Sequence, residues 1–553
     1  MPMRATQPKQ FRRPFQPWIG RCALVAPLLL FARAGLVAQV VGTLPLTQIG
    51  SETEERARLN QIMGHASTAG FLIRTMSRSD TTSVTDTTDR MTVAVLLPEY
   101  RAVYNSGIPY SLNDGAMWAG RGWNQALTGG VVLRSRNFRL ILDPTLLSEQ
   151  NRDFQVIQFN QFIQPQRSIW ANPFHPRPES VDLPLRFGDR SIRRLDFGQS
   201  SLEVTYGPVA IGAGTENNWW GPGIRTAIVL SNNAPGFPHV YLQTVKPVHT
   251  RVGIIDAKWI LGQLSESGFF DFNSHNNGRP FAGIVGVWQP GFDTTLSVGF
   301  SRVAMASHPT GGFLPFSAFD VFRKAFNPPD SAGGPPRVGR DGITSFFARW
   351  VLPKSGAEVY GEWARFAEPS SFHDFLESPG HSEAYVVGLQ WAHRSLANSL
   401  FRLQSEFSYL EPDPSLRLRP GFATYTSPSV LQGFTNQGQT LGAATGPASS
   451  SQWLAGDLFA NRWRFGLFVN RIRWDNAALY EPVTPSFRRQ DVTMSAGLRG
   501  SKTLRGLTVF GSFEHATRFN YLYQSYIVGP TSYSGIDLVN NTLSIGLSAT
   551  PWQ

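Results

Sequence analysis

From Leu202 to the C-terminus, apolar and polar residues change places almost one by one, in segments separated by breaks rich in Gly, Pro, Asn and Ser. A period of two gives an extended strand one apolar and one polar face. Leu202–Tyr206, Gly283–Gln289, Thr294–Arg302, Ile343–Leu352, Ala357–Phe366, Ala384–Trp391, Ser399–Leu410, Arg464–Trp474, Val492–Ser501, Leu507–Ala516 and Thr542–Thr550 have this pattern. Some breaks are tight, as at Pro290-Gly291-Phe292-Asp293 and Pro353-Lys354-Ser355-Gly356, whereas residues 330–342 and 411–437 are long and polar. Short turns alternating with long loops predict an all-β, antiparallel transmembrane barrel. At about 20 residues per strand with its connection, the ~350 residues from Leu202 onward and one hairpin before them hold roughly 16–20 strands.

Upstream, Gly130–Arg136 and Phe138–Asp143 predict a hairpin joined at Ser135-Arg136-Asn137. Pro165, Pro173, Pro176, Pro178 and Pro184 then predict a long irregular insertion around residues 144–200, followed by the cluster Arg186, Arg190, Arg193 and Arg194. Nearer the N-terminus, Ser51-Glu52-Thr53-Glu54 is a capping box. Leu59, Ile62, Met63 and Ala66 follow at helical spacing, with Gly70 as the stop, so this stripe is a packing face. A short second helix is expected around Glu99–Tyr104. The first 38 residues have the form of a signal peptide, with Arg4, Lys9, Arg12, Arg13 and Arg21 before the apolar stretch Ala23–Ala32. Cleavage fits after Ala34 or, preferably, Ala38. Three regions result: residues 1–38 as leader, 39–125 as a helical region and connector or plug, and 126–553 as barrel.

Composition narrows the class. Charged residues make up only 16 % of the 553, aromatics 12 %, and there are 52 Gly, which favours many strands over a helical soluble fold. Mean hydropathy is −0.18, and beyond the leader no apolar run reaches the ~20 residues of a membrane helix. The formal charge of +11 overstates the basic character. Six of the 50 Lys and Arg lie in the leader, which has no acid, leaving 44 against 39 acidic residues, or +5. That is no nucleic-acid footprint. The one cysteine, Cys22, is also in the leader, so the remainder holds neither disulfide nor thiolate metal site.

Candidate chemistry concentrates between Thr205 and Tyr241. There a Gly-dense turn precedes Glu216-Asn217-Asn218-Trp219-Trp220-Gly221-Pro222-Gly223, and an apolar run to Leu230 ends in Ser231-Asn232-Asn233. Flat rings beside amides and a carboxylate suit a sugar, whose C–H face stacks while its hydroxyls hydrogen-bond. The same residues equally suit packing at a turn or an aromatic girdle. Residues 105–125 form a second Gly/Asn/Trp-rich stretch, in which Asp114 and Arg121 are placed to pair. No P-loop, dinucleotide fingerprint or HExxH is present, and no cofactor or metal is expected. His373, Asp374, Glu377, His381 and Glu383 are a local acid/His cluster that matches no metal template, and are expected in a loop between strands.

The block Asn218-Trp219-Trp220-Gly221-Pro222-Gly223, with Ile228-Val229-Leu230-Ser231-Asn232-Asn233-Ala234, resembles the signature of the capsule assembly Wzi family. Asn105–Tyr110, Asn113-Asp114-Gly115, Trp118–Gly122, Leu183–Gly188 and Gly438–Ala443 extend the resemblance over most of the chain. At Ala234-Pro235-Gly236-Phe237-Pro238 the chain departs from it, lacking a basic residue beside the Asn-Ala pair. The resemblance implies an outer-membrane barrel with a small helical region on the periplasmic side, inserted in outer-membrane lipid by the barrel-assembly machinery. The C-terminal Ser544–Gln553, with penultimate Trp552, partly matches an assembly signal. The family resemblance further implies a non-catalytic, lectin-like protein that binds capsular or extracellular polysaccharide and helps attach it at the cell surface. Glu216, Asn217, Trp219, Trp220, Asn232 and Asn233 are then the first candidate polysaccharide-binding residues, and Asn113, Asp114 and Arg121 the second. Two alternatives stay open: a diffusion porin or exporter, and an outer-membrane hydrolase using Glu216.

Overall fold

The computed structural model describes residues 39–44, 49–75, 91–154, 156, 172–174, 181–271, 273, 275–307, 321, 340–366, 371–394, 399–413, 423–460, 462–480, 490–529 and 532–549. The leader and residues 550–553 lie outside these, as do Pro165, Pro176 and Pro178.

The wall begins with four strands, each made of two collinear pieces. These are β1 (Thr92–Leu96 and Glu99–Asn105), β2 (Gly122–Thr128 and Val131–Ser135), β3 (Phe138–Leu142 and Thr145–Glu149) and β4 (Ile192–Asp196 and Ser201–Tyr206). β5 (Val209–Gly214), β6 (His239–Thr244 and Val248–Thr250), β7 (Gly253–Ser265), β8 (Gly278–Pro290) and β9 (Leu296–Ala306) follow. β10 (Arg340–Leu352), β11 (Ala357–Arg365), β12 (Glu383–Arg394), β13 (Leu400–Tyr409) and β14 (Ser450–Ala460) continue the series. The last are β15 (Trp463–Arg473), β16 (Val492–Leu504), β17 (Leu507–Phe519) and β18 (Leu538–Ala549). Each pairs antiparallel with the next, and β18 pairs with Glu99–Asn105 of β1, so the described pairings return to their start after eighteen strands. The residues Gln39–Leu44 add a parallel strand beside Thr92–Leu96.

The sequence alternation maps onto two environments. In β12, Tyr385, Val387, Leu389 and Trp391 face outward, while Ala384, Val386, Gly388, Gln390 and Ala392 face inward. In β13, Phe401, Leu403 and Phe407 are outside, and Arg402, Gln404, Glu406 and Ser408 are inside. An apolar exterior around a polar interior is the reverse of a soluble protein and is what a lipid-embedded barrel requires. No described helix is long and apolar enough to cross a membrane. Connections at one end are short, such as residues 207–208 and 505–506. At the other they are long, such as 106–121, 215–238 and 410–449.

The helix α1 (Glu52–Ile62) sits at the short-turn end. Ser51 caps it by accepting from the Glu54 N–H at 3.3 Å, and Glu54 in turn accepts from the Gly50 N–H. Leu59, Ile62 and Met63 pack on Val351, Ala392 and Phe459 of the wall. The chain leaves the helix at Gly64, whose φ of 74° is left-handed, so Gly64 rather than Gly70 is the stop and Ala66 is exposed.

Three further expectations change. Glu99–Asn105 is not a helix but a wall strand, because pairing on both edges, with β18 and β2, decides a short ambiguous segment. The irregular insertion is shorter than 144–200, since Thr145–Glu149 and Ile192–Asp196 pair as wall. The acid/His stretch is also not simply a loop. Phe372–Glu377 forms a one-and-a-half-turn helix, α2, capped by Ser371, with His373 exposed.

Candidate functional site

The loop between β5 and β6, residues 215–238, turns inward and spans the lumen. On its near side Glu216 and Lys258 of β7 form an ion pair at 2.9 Å with neither side chain exposed. The lysine also lies 4.4 Å over the Tyr241 ring. On the far side Glu406 of β13 accepts the backbone N–H groups of Ile224 (2.6 Å) and Arg225 (3.1 Å), and Glu362 of β11 accepts that of Ile228 at 3.3 Å. Wall carboxylates thereby satisfy backbone donors that a turn in a dry interior would leave unpaired. From below, Arg58 of α1 donates to the Pro222 carbonyl and Arg74 to that of Gly223.

The paired tryptophans are built into this bridge. Asn218–Trp220 forms a short strand against Ile73–Thr75. The Trp219 ring lies under the Arg74 guanidinium at 4.6 Å, and its Nε1–H donates to the Gly223 carbonyl at 3.1 Å. Trp220 is fully buried among Ile228, Leu230, Phe237 and the wall residues Ile260 and Val285. Its ring approaches β8 so closely that a Cβ on Gly283 would come within 2.7 Å of it, which is why a glycine stands there. Asn217 donates to the Ala234 carbonyl at 2.8 Å and pairs with Gln199. Asn233 donates to the carbonyl and hydroxyl of Thr440 at 3.0 and 2.9 Å.

The second group of candidates joins the same assembly from residues 106–121. Asn113, at a left-handed φ of 63°, donates to the Arg225 carbonyl at 2.9 Å, and Asn232 accepts the Gly115 N–H at 2.8 Å. Asp114 pairs with Arg101 of β1, not with Arg121. Arg121 instead donates to the carbonyls of Ser106 (3.1 Å) and Asp153 (2.7 Å). Residues 423–449 complete the packing. Tyr425 donates to the Ile228 carbonyl at 2.7 Å, and the Ser231 N–H donates to that of Leu441.

Two cavities border this plug. One of about 220 Å³ opens at the long-loop end, lined by Trp118, Asn233, Thr440, Trp474, Arg518 and Tyr521 among others. The other, about 100 Å³, touches Asp114, Asn217 and Asn232, with Glu99, Asp143 and Asp196 around it. The structure thus brings together Glu216, Asn217, Trp219, Trp220, Asn232, Asn233, Asn113 and Asp114, and sets Arg121 at the edge.

At the short-turn end the electrostatics are dense. Glu55 of α1 pairs with Arg402 and Arg464 at 2.9 and 2.8 Å, and Asp457 holds Arg402, Arg464 and Arg499. Burial alone would raise the Glu55 pKa, but the guanidinium groups of Arg464, Arg402 and Arg499 outweigh it and hold the carboxyl well below its usual range. Glu358 binds Arg58 and Arg349 in the same way.

The profile of the family described as capsule assembly protein Wzi matches residues 136–476, more than half of the chain. The chain belongs to the Wzi capsule assembly family. Its fold superposes on Wzi of Escherichia coli, an outer-membrane protein involved in group 1 capsule assembly and described as a carbohydrate-binding β-barrel. The TM-score is 0.51 at 12 % identity, over 81 % of this chain and 83 % of that one. OccAB3 of Acinetobacter baumannii (TM-score 0.38, 9 % identity, 82 % and 98 % covered) and OccK2 of Pseudomonas aeruginosa (0.37, 11 %, 82 % and 97 %) are more distant. No curated protein matches the sequence. This Wzi-family barrel therefore lies in the outer membrane. Sequence reasoning missed the residues that hold its plug, Lys258, Glu362 and Glu406. The available signal was a charged residue at an inward position of an otherwise alternating strand.

Proposed function

We propose that this barrel binds polysaccharide at its long-loop end and retains it at the outer surface without chemical turnover. The observation that carries the proposal is the 215–238 loop laid across the lumen from Lys258 to Glu406, beside an aromatic-lined cavity at the long-loop end. In this reading Glu216, Asn217, Trp219, Trp220 and Asn113 give the bridge its shape, and Asn232, Asp114 and Arg121 hold its neighbouring turns. Asn233, with the tryptophans and tyrosines of the 220 Å³ cavity, meets the sugar. Family membership and the carbohydrate-binding description of the Escherichia coli relative support it. Glu216, the carboxylate a hydrolase would need, is instead buried against Lys258, which favours binding over catalysis.

The test is capsule retention in a deletion strain, with polysaccharide assayed in pellet and medium. Polymer should move to the medium at unchanged total, and the intact gene should return it to the pellet. An unchanged distribution would overturn the proposal.

A further inference from the structure

The wall chemistry of the long-loop cavity narrows the sugar it accepts, an inference that rests on the polysaccharide-binding reading above. We propose that it receives a methyl-bearing group of a neutral sugar residue, a 6-deoxy carbon or an acetyl, in preference to an acidic substituent. At about 220 Å³ the cavity is smaller than a drug-sized site and suits part of one residue of a polymer. Ile108, Leu185, Val181 and Leu522 supply aliphatic wall, and Trp118 and Trp474 supply rings. Ile108, Tyr521, Leu522 and Tyr523 belong to one buried apolar cluster, with Leu185 packed on it. A methyl group gains by leaving water for such a wall, whereas a hydroxyl placed there loses its hydrogen bonds.

The charges point the same way. Among the described lining residues the one cation is Arg518, which donates from Nε and Nη2 to both oxygens of Asp491 at 2.8 and 2.7 Å. Its guanidinium also lies over the rings of Trp474 (5.0 Å) and Tyr521 (4.9 Å). A uronate or phosphate would meet a cation already neutralised by a bidentate carboxylate. The wall is also held in an unusual backbone conformation. Asn520, Leu522 and Tyr523 have φ of 52°, 50° and 58°, a region that bulky residues rarely occupy. Asp491 fixes them by accepting the Leu522 N–H at 2.9 Å, and the Tyr523 hydroxyl fixes them by donating to the Trp474 and Asp475 carbonyls at 2.6 Å. Strain kept at a cavity wall by such over-determination is characteristic of ligand clamps.

The experiment is calorimetric titration of the purified full-length protein in detergent with hydroxyethyl glucoside, its 6-deoxy analogue, hydroxyethyl N-acetylglucosaminide and hydroxyethyl glucuronide. Either methyl-bearing sugar should bind roughly four- to tenfold more tightly than the glucoside. Which of the two does so identifies the source of the methyl, and the glucuronide should be the weakest. Ala444→Phe, which fills the cavity, should erase the difference. Asp491→Asn, which releases Arg518, should improve the glucuronide. Equal affinities for all the neutral sugars, or a preference for glucuronide in the unaltered protein, overturn the inference. If Ala444→Phe leaves binding of whole capsular polymer intact, the cavity assignment fails while the polysaccharide reading stands. If no polymer binds at all, both fail.

Discussion

Lys258 and Glu216 illustrate how a residue's role is set by what it meets rather than by its type. The Trp-Asn-Glu block was legible as important, and its residues do converge. Sequence could not assign their work, because rings, amides and a carboxylate serve equally to grip a sugar and to close a buried turn. The partner that decides for Glu216 lies 42 residues away on a wall strand. A buried pair is weak evidence of net stability, but breaking one side leaves an uncompensated charge. Lys258→Met should therefore destabilise the barrel by about 3–5 kcal/mol. The double change with Glu216→Gln should recover most of that loss. The temperature at which the folded band disappears on unboiled gel electrophoresis reads both, and additive losses would show that the two residues do not act as a pair.

Among the elements, the strands were the most legible and α1 nearly so. Alternation survives because each strand has lipid on one side, so β12 and β15 match their expected positions to within a few residues. Glu99–Asn105 was misjudged since its environment comes from β18, at the opposite end of the chain. For α1, capping and stripe were visible in the sequence but the ionic clamp was not, because its arginines are spread over β13, β15 and β16. The Glu55 carboxylate is favoured as an ion in the folded state. Its contribution is complete above the ordinary value of 4.5 and is lost as pH falls below it toward the depressed folded value. Docking of α1 should be flat from pH 8 to about 5 and weaken only in strong acid. Glu55→Gln should loosen the helix above about pH 5, converge with the wild type in strong acid, and so flatten the profile. Hydrogen exchange of the Glu52–Ile62 amides measures this, and a wild-type transition near pH 6 would contradict it.

At the scale of the whole molecule, α1 and the 215–238 loop obstruct the lumen one behind the other. Purified protein in a planar bilayer should give no steady porin-sized conductance, and deleting α1 alone should leave it closed, since the loop still reaches Glu362 and Glu406. Large steady steps from the intact barrel would restore the channel reading.

The order in which this circle is made also matters. The wall shuts by joining β18 to β1, where the Asn541 N–H meets the Ser106 hydroxyl across 435 positions. The loop inside is synthesised before either of the carboxylates that hold its far side. Until the later strands arrive, Trp219, Trp220 and the run Ile228–Leu230 have no completed interior to enter, and contacts so distant in sequence form slowly. A nascent chain therefore carries its filling ahead of its container. Losing the final strand would leave that filling stranded as well as the wall unclosed, so C-terminal truncation should yield an aggregating chain and not a smaller barrel.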